Sequence, residues 1–156
     1  MENHNVTQVL VDYEIIPPEI FFRNNQYIHE QIERRSYGYR NLVDKNSELI
    51  MNYGFKYLNS IDCLNIFDAL DNEIEETLKF INKEKLFQIR KSWNEHEEIR
   101  NNEMINNIYD YSKNNTYNAG LFLIGTAHRK SIIEKIQKHN ESEKINWNYS
   151  KYENII

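Results

Sequence analysis

The chain has 156 residues, a formal net charge of -5 and one cysteine. This length fits one domain with its own core and is too short for two full catalytic domains. The net negative charge argues against a general nucleic-acid binder, which needs a basic surface to neutralise phosphates. No apolar run approaches the roughly 20 residues of a membrane span, and the opening residues lack a signal-peptide pattern. Because Cys63 has no partner for an internal disulfide, we expect a reducing, cytoplasmic location.

Helical periodicity dominates the first two-thirds of the chain. Apolar residues that recur every three or four positions indicate amphipathic helices. This pattern predicts helices at about residues 19–35, 46–58, 65–82 and 85–113. Gly54 weakens the second of these helices, because glycine is a poor helix former.

The last third of the chain predicts a strand, a helix and a second strand. Residues 119–125 form a continuous apolar run, which is typical of a strand buried on both faces. Alternation of Ile, Trp and Tyr with asparagine predicts another strand over 145–149. Between them, Ser131 and Glu134 match the capping box of a helix start. This order predicts a parallel βαβ unit at the C-terminus, and the expected fold class is helix-rich α/β with a small parallel sheet.

We expect a single domain over residues 1–156, mainly helical over 1–84 and motif-bearing over 85–156. The longest predicted helix carries Glu97 and Arg100 in the middle of its apolar stripe. Opposite charges on an apolar face are unlike a solvated surface. They either reach out to solvent, pair internally or line a polar site under the helix.

The turn between the predicted strand and helix is a candidate binding site. In open α/β sheets, ligands bind beyond the carboxyl ends of the strands, and the N–H groups that start the next helix favour an anion. Gly125 permits a sharp turn, His128 could act as acid, base or metal ligand, and Arg129 or Lys130 could supply positive charge. The alternative is a connecting loop in which His128 caps a backbone group and both cations are solvated.

Two motifs in this region resemble those of a known superfamily. Glu97-Glu-Ile-Arg-Asn-Asn-Glu-Met104 is followed, after about twenty residues, by Leu121-Phe-Leu-Ile-Gly-Thr-Ala-His-Arg129. Over roughly the last 70 residues, the chain resembles the C-terminal part of the TraB/ChaN/erythromycin-esterase superfamily. Members of that superfamily pair an Arg-Asn or Arg-Asp helix motif with a later strand ending in glycine-x-x-histidine.

The resemblance implies hydrolysis of an ester or amide in a small-molecule or peptide substrate. It implies three catalytic residues: His128 as general base or metal ligand, Arg100 as oxyanion or anion stabiliser, and Asn101 as an orienting group. The turn itself supplies the candidates for binding substrate or anion, namely Gly125, Arg129 and Ser131.

The chain departs from the superfamily in its first half. Members carry an earlier glycine-x-x-histidine, whereas neither Gly38 nor Gly54 is followed by a histidine three residues on. The resemblance implies a divalent metal, yet Glu97 and His128 alone do not reach the three or four ligands of a metal site. Two hypotheses therefore stay open. One is a hydrolase-like domain completed by a partner chain or by another copy in a homo-oligomer, and the other is a non-catalytic remnant or protein-interaction module.

We expect the other ionisable residues to have structural rather than functional roles. We expect His29 to be a surface histidine and Cys63 to be a small buried hydrophobe. The acidic residues between positions 68 and 76 are interpreted as a solvated helix face.

Overall fold

The computed structural model describes residues 7–138 and 145–148, and this part of the chain is built from five helices. Helix α1 packs against α2, α3 and α4, while α2 packs against α3 and α5 packs against α4. No helix among the described residues combines the length and apolar character needed to cross a membrane. In chain order the helices are α1 (Glu19–Glu33), α2 (Tyr37–Leu58), α3 (Ile61–Ile81), α4 (Glu84–Asn114) and α5 (Thr126–Lys138).

The predicted helices are confirmed, although three of them begin earlier than expected. Helices α1 and α4 lie close to their predicted ranges. Helices α2 and α3 gain their first turns because Ser36 and Ser60 act as N-caps, each accepting a hydrogen bond from a backbone N–H of that turn. Gly54 has φ 51° and ψ -128°, which kinks α2 at the predicted weak position.

Residues 119–125 form no strand, so the predicted helix-rich α/β fold with a parallel sheet is wrong. No strand occurs anywhere in 7–138 or 145–148. Phe122 and Ile124 pack inward, whereas Leu121 and Leu123 are 85% and 77% exposed. The side chains therefore alternate as they do in a strand, but a strand also needs hydrogen bonds to a neighbouring strand. The described part of the chain offers no such neighbour.

The second predicted strand is also absent, and with it the βαβ unit. Residues 145–148 have no regular secondary structure, and residue 149 lies outside the described residues. Ile145 and Trp147 pack on the same apolar cluster as Phe122. The alternation read from the sequence therefore serves packing against helices rather than pairing between strands.

Helix α5 begins at Thr126, so Ser131 lies inside the helix and is not its cap. The N–H of His128 already donates to the Gly125 carbonyl oxygen at 3.0 Å, which starts the first turn there. A serine followed three residues later by a glutamate can also occur inside a helix. The pattern alone therefore does not determine where α5 begins.

Buried apolar side chains among the described residues form three clusters, and α4 contributes to two of them. The first cluster joins α1, α3 and α4, the second joins α4 and α5, and the third joins α2 and α3. Their members are Ile28, Ile32, Ile74, Leu78 and Leu86 in the first, Met104, Ile105, Tyr109, Ile132 and Ile136 in the second, and Leu49, Tyr57, Cys63 and Ile66 in the third.

The acidic residues of α3 are mostly exposed, as the sequence predicts, and some of them also bind partners on other elements. Asp71 and Glu75 accept hydrogen bonds from the buried Arg90 of α4 at 2.6 and 3.2 Å. Glu73 accepts one from the Ser36 hydroxyl at 2.5 Å. Since a buried arginine is costly unless it is paired, these carboxylates hold α3 against α4 and against the start of α2.

Replacing Ser36 by alanine is expected to lower the free energy of unfolding by about 1–2 kcal/mol. The change removes the N-cap of α2, in which Ser36 accepts from the N–H of Tyr39 at 2.8 Å, together with the hydrogen bond to Glu73. Urea denaturation measures the loss. Ser47→Ala is the matched control, because Ser47 is exposed within α2 and donates only to a carbonyl of its own helix. Equal losses in the two variants would contradict the capping role.

Candidate functional site

The charged pair on the apolar face of α4 is paired internally. Arg100 donates from Nη1 to Oε1 of Glu97 at 3.1 Å, and the two side chains are 27% and 24% exposed. Of the three alternatives that the sequence left open, the structure shows pairing within a partly buried cluster. This pair is the centre of the candidate site.

A third member of the cluster comes from the segment before α1. Arg100 donates from Nε and Nη2 to the two carboxylate oxygens of Asp12, at 3.2 and 2.7 Å, which is a bidentate pair. The hydrogen bond from Arg100 lowers the pKa of the Asp12 carboxyl, and the same bond raises the pKa of Arg100. Asn107 fastens the same segment by donating to the Val11 carbonyl at 3.0 Å.

Asp12 was missed in the sequence. The only signal was a carboxylate inside the apolar stretch Val9-Leu-Val-Asp-Tyr13. Its partner Arg100 lies 88 positions further along the chain. A pairing over that distance follows from the tertiary fold and not from any local pattern.

His128 reaches the same cluster from α5. Its Nδ1 lies 2.7 Å from Oδ1 of Asn101 and 3.5 Å from Oε2 of Glu97. Asn101 is buried, and its Nδ2 donates to the hydroxyl oxygen of Ser131 at 3.1 Å. With Nδ2 used in this way, Oδ1 accepts the Nδ1–H of His128, and the neutral ring keeps its lone pair on Nε2.

These contacts form one continuous set of side chains, which we call the polar network. The structure brings together four residues of the two motifs with Ser131 of the predicted turn, and it adds one residue that the sequence did not single out. Their catalytic roles stay predictions. The network consists of Glu97, Arg100, Asn101, His128 and Ser131, with Asp12 as the added member.

The other predicted anion-binding residues are placed differently. Gly125 lies beside His128, since a Cβ added to it would be 3.7 Å from Cδ2 of that ring. Arg129 is buried against the end of α2, where its Nη1 donates to Oδ1 of Asn59 at 3.3 Å. Lys130 pairs with Asp68 of α3 at 2.8 Å, and this hydrogen bond raises the pKa of Lys130. The turn's two cations therefore contact residues of α3 and the residue that ends α2.

The charges of the network limit the chemistry that it can perform. Arg100 carries one positive charge and is paired with two carboxylates, Asp12 and Glu97. An anionic group would have to displace one of them before it could use the guanidinium. Across residues 7–138 and 145–148, no group of three or more His, Cys, Asp or Glu side chains is arranged to hold a metal ion. Glu97 and His128 stay an incomplete ligand pair.

Two further residues of chemical interest have structural surroundings. His29, expected at the surface, is half-buried, with Nδ1 2.9 Å from the Tyr39 hydroxyl. Burial lowers the pKa of His29 and raises the pKa of Tyr39. Cys63 is fully buried as predicted, and burial raises the pKa of its thiol, which disfavours the nucleophilic thiolate.

Comparisons with protein-family models, with curated proteins and with solved structures find no match to this chain. The superfamily resemblance therefore rests on the two sequence motifs alone, the second of them without the strand that the superfamily places before its glycine-x-x-histidine, and it stays a prediction.

Asp12→Asn is expected to lower the free energy of unfolding at pH 7 by about 0.5–1 kcal/mol, a modest value because the pair is partly exposed. The folded-state pKa of Asp12 is lowered, so the charged pair stabilises the fold above the usual carboxyl range. That stabilisation disappears as the pH falls through the lowered pKa. The difference between Asp12→Asn and the unchanged chain should therefore shrink toward zero below about pH 4 in urea denaturation.

Glu14→Gln is the matched control for this pH series. Glu14 is exposed two residues away, and its replacement should change the unfolding free energy little at either pH. A difference for Asp12→Asn that stays constant or grows as the pH falls would contradict the pairing with Arg100.

Proposed function

We propose that this chain acts as a protein-interaction module rather than as a self-contained enzyme. The surface that carries the proposal is the leucine strip, which we define as Leu121 and Leu123 together with the backbone of residues 119–125. Both leucine side chains are more than three-quarters exposed. Isolated exposed leucines are common, but these two lie two residues apart on the same side of one segment.

The leucine strip is held in position from beneath. Phe122 and Ile124, on the opposite side of the segment, pack on the second cluster formed by α4 and α5. A partner therefore meets leucines on a segment that is already anchored, which reduces the entropy lost on binding. This arrangement favours a binding surface over a disordered connection.

The chemistry of the strip also favours a protein partner. Residues 114–127 contain no Asp, Glu, Lys or Arg, although 28% of the whole chain is charged. Proteins commonly protect exposed backbone edges with charge, and this segment has none. Among the described residues, the backbone groups of 119–124 make no hydrogen bond to another backbone group. A partner that adds its own backbone and apolar side chains would satisfy both features.

The polar network fits a supporting role in this proposal. It joins the segment before α1, the middle of α4 and the first turns of α5, which begins directly after the leucine strip. Its arginine is already neutralised by carboxylates, so less of its charge is left for a substrate. The network would thereby hold α5 and the strip in a fixed relation to α4.

Site-specific photo-crosslinking tests the proposed function. With benzoylphenylalanine in place of Leu121, irradiation of cells that produce the protein should give a discrete adduct. Leu123→Asp in the same chain should abolish that adduct, because a charge in the strip must be desolvated on binding. Phe80→benzoylphenylalanine is the matched control, since Phe80 is 83% exposed on α3. Adducts at position 121 no stronger than at position 80, or unaffected by Leu123→Asp, would contradict the proposal.

We also propose a reducing location such as the cytoplasm for this module. The lone Cys63 is buried with a raised thiol pKa, and it is held in the third cluster as a packing residue. The net charge of -5 argues against nucleic acid as the partner.

One observation favours a second candidate function, the hydrolysis of an ester or amide. Asn101 holds His128 through Nδ1, so the lone pair of Nε2 could accept a proton from a water molecule. The water oxygen would then add to the substrate carbonyl carbon, and the histidine would return the proton to the leaving alcohol or amine. The superfamily resemblance assigns the same histidine to catalysis.

If this second candidate is right, His128→Ala should reduce turnover of a model ester by about a hundredfold or more, since general base catalysis contributes about that factor. The melting temperature should fall by only a few degrees, as for the loss of one partly buried hydrogen bond. His96→Ala is the matched control, because His96 is also half-buried on α4 but contacts the Phe21 ring instead of the network. Equal turnover in both variants and the unchanged chain would exclude catalysis by His128.

A further inference from the structure

We propose that the contact between His29 of α1 and Tyr39 of α2 is an acid-sensitive switch, in which protonation of the histidine ring separates the start of α2 from α1. His29 lies within α1, and Tyr39 lies in the first turn of α2. Nδ1 of the histidine is 2.9 Å from the tyrosine hydroxyl oxygen. Neither residue belongs to the leucine strip or to the polar network, so the switch is independent of the proposed function.

The first turn of α2 lies between α3 and α1 and is held from both sides. From α3, Glu73 accepts a hydrogen bond from the Ser36 hydroxyl at 2.5 Å. A Cβ added to Gly38 would be 2.6 Å from Oε1 of Glu73, so the turn lies directly against that carboxylate. From α1, His29 is the hydrogen-bond partner of Tyr39. Loss of the histidine contact therefore weakens the hold of α1 on this turn, while the contact with α3 stays.

The neutral histidine ring suits this contact better than the charged ring. Burial raises the pKa of Tyr39, so the hydroxyl keeps its proton and can donate it to Nδ1 of His29. A protonated ring carries hydrogen on both nitrogens, and Nδ1 can then no longer accept. The tyrosine proton would need another acceptor, and a polar group without a partner is costly in half-buried surroundings.

The surroundings of His29 also oppose a positive charge on its ring. Helix α1 packs against α2, α3 and α4, and these helices bring Tyr39, Asp71 and Arg90 to act on the histidine. Burial is the main cause that lowers the pKa of His29, and repulsion by the Arg90 guanidinium lowers it further. Asp71 acts in the opposite direction but less strongly, and its carboxylate already pairs with Arg90 at 2.6 Å. On α1 itself, the Glu33 carboxylate adds to the effect of burial on the pKa of Tyr39.

These charges determine the direction of the switch. Because the pKa of His29 is lowered in the folded chain, the contact is most stable above the ordinary histidine pKa of 6.5. It loses stability as the pH falls from that value through the lowered pKa. Tyr39 packs against the first cluster, so its separation from His29 uncovers part of that cluster. Mild acid thus exposes apolar surface between α1 and α2.

Hydrogen exchange at the start of α2 tests the switch. The Tyr39 N–H donates to the Ser36 hydroxyl oxygen at 2.8 Å, and its protection factor reports opening of this turn. After correction for intrinsic exchange, this factor should fall by about threefold or more between about pH 7.5 and about pH 5 in the unchanged chain. In His29→Asn the fall should be absent, because asparagine offers an acceptor near the position of Nδ1 but gains no charge.

His96→Asn is the matched control for the exchange experiment. His96 is also half-buried but contacts the Phe21 ring, so this variant should show the same fall as the unchanged chain. Proton NMR of the unchanged chain gives a second readout, which does not depend on any variant being folded: the His29 ring should titrate below pH 6.5. Titration at or above that value, an undiminished fall in His29→Asn, or no fall in the unchanged chain would overturn the switch.

Discussion

Helix α4 contributes to two separate apolar clusters, and α1, α3 and α5 are arranged along it. Its 31 residues give a length of about 46 Å, enough for α1 and α3 to pack near its start and α5 near its end. Between the two clusters lie the polar residues Glu97, Arg100 and Asn101. Because partly buried polar groups must find hydrogen-bond partners, this middle stretch requires side chains from elsewhere in the chain. Asp12 and His128 supply them.

This requirement changes the meaning of the residues that suggested catalysis. The arginine and histidine of the two motifs do meet, as a common site would demand, but each is already engaged by neighbours within the chain. The polar network joins three segments of the chain, namely the one before α1, the middle of α4 and the first turns of α5. A network built in this way can stabilise a binding surface beside it, and the leucine strip ends one residue before α5 begins. Catalysis would need an additional group that approaches Nε2 of His128.

The sequence predicted the helices well and the connections poorly. Helical periodicity is a local property, so the apolar stripe of α4 and the weak point at Gly54 could be read directly. The apolar run at 119–125 was misread because alternation and apolar character describe a side-chain pattern, whereas a strand exists only with a neighbour. The ion pairs made by the acidic residues of α3 were not predicted, for a related reason. Their partner Arg90 lies on another helix, and no rule of spacing connects the two.

The sequence by itself determined which segments are helical and which charges lie on the apolar face of α4, although it placed the starts of α2, α3 and α5 several residues too late. These follow from spacing within one segment, where each residue's neighbours are known in advance. Only the tertiary structure decided that Asp12 joins Arg100, that Arg129 faces α2, and that Leu121 and Leu123 stay exposed. Each of these depends on which distant segments meet, and that choice is made by the packing of whole helices. Most residues of the candidate site could thus be named from the sequence. The contacts between them and the exposed leucines beside them could be seen only in the tertiary structure.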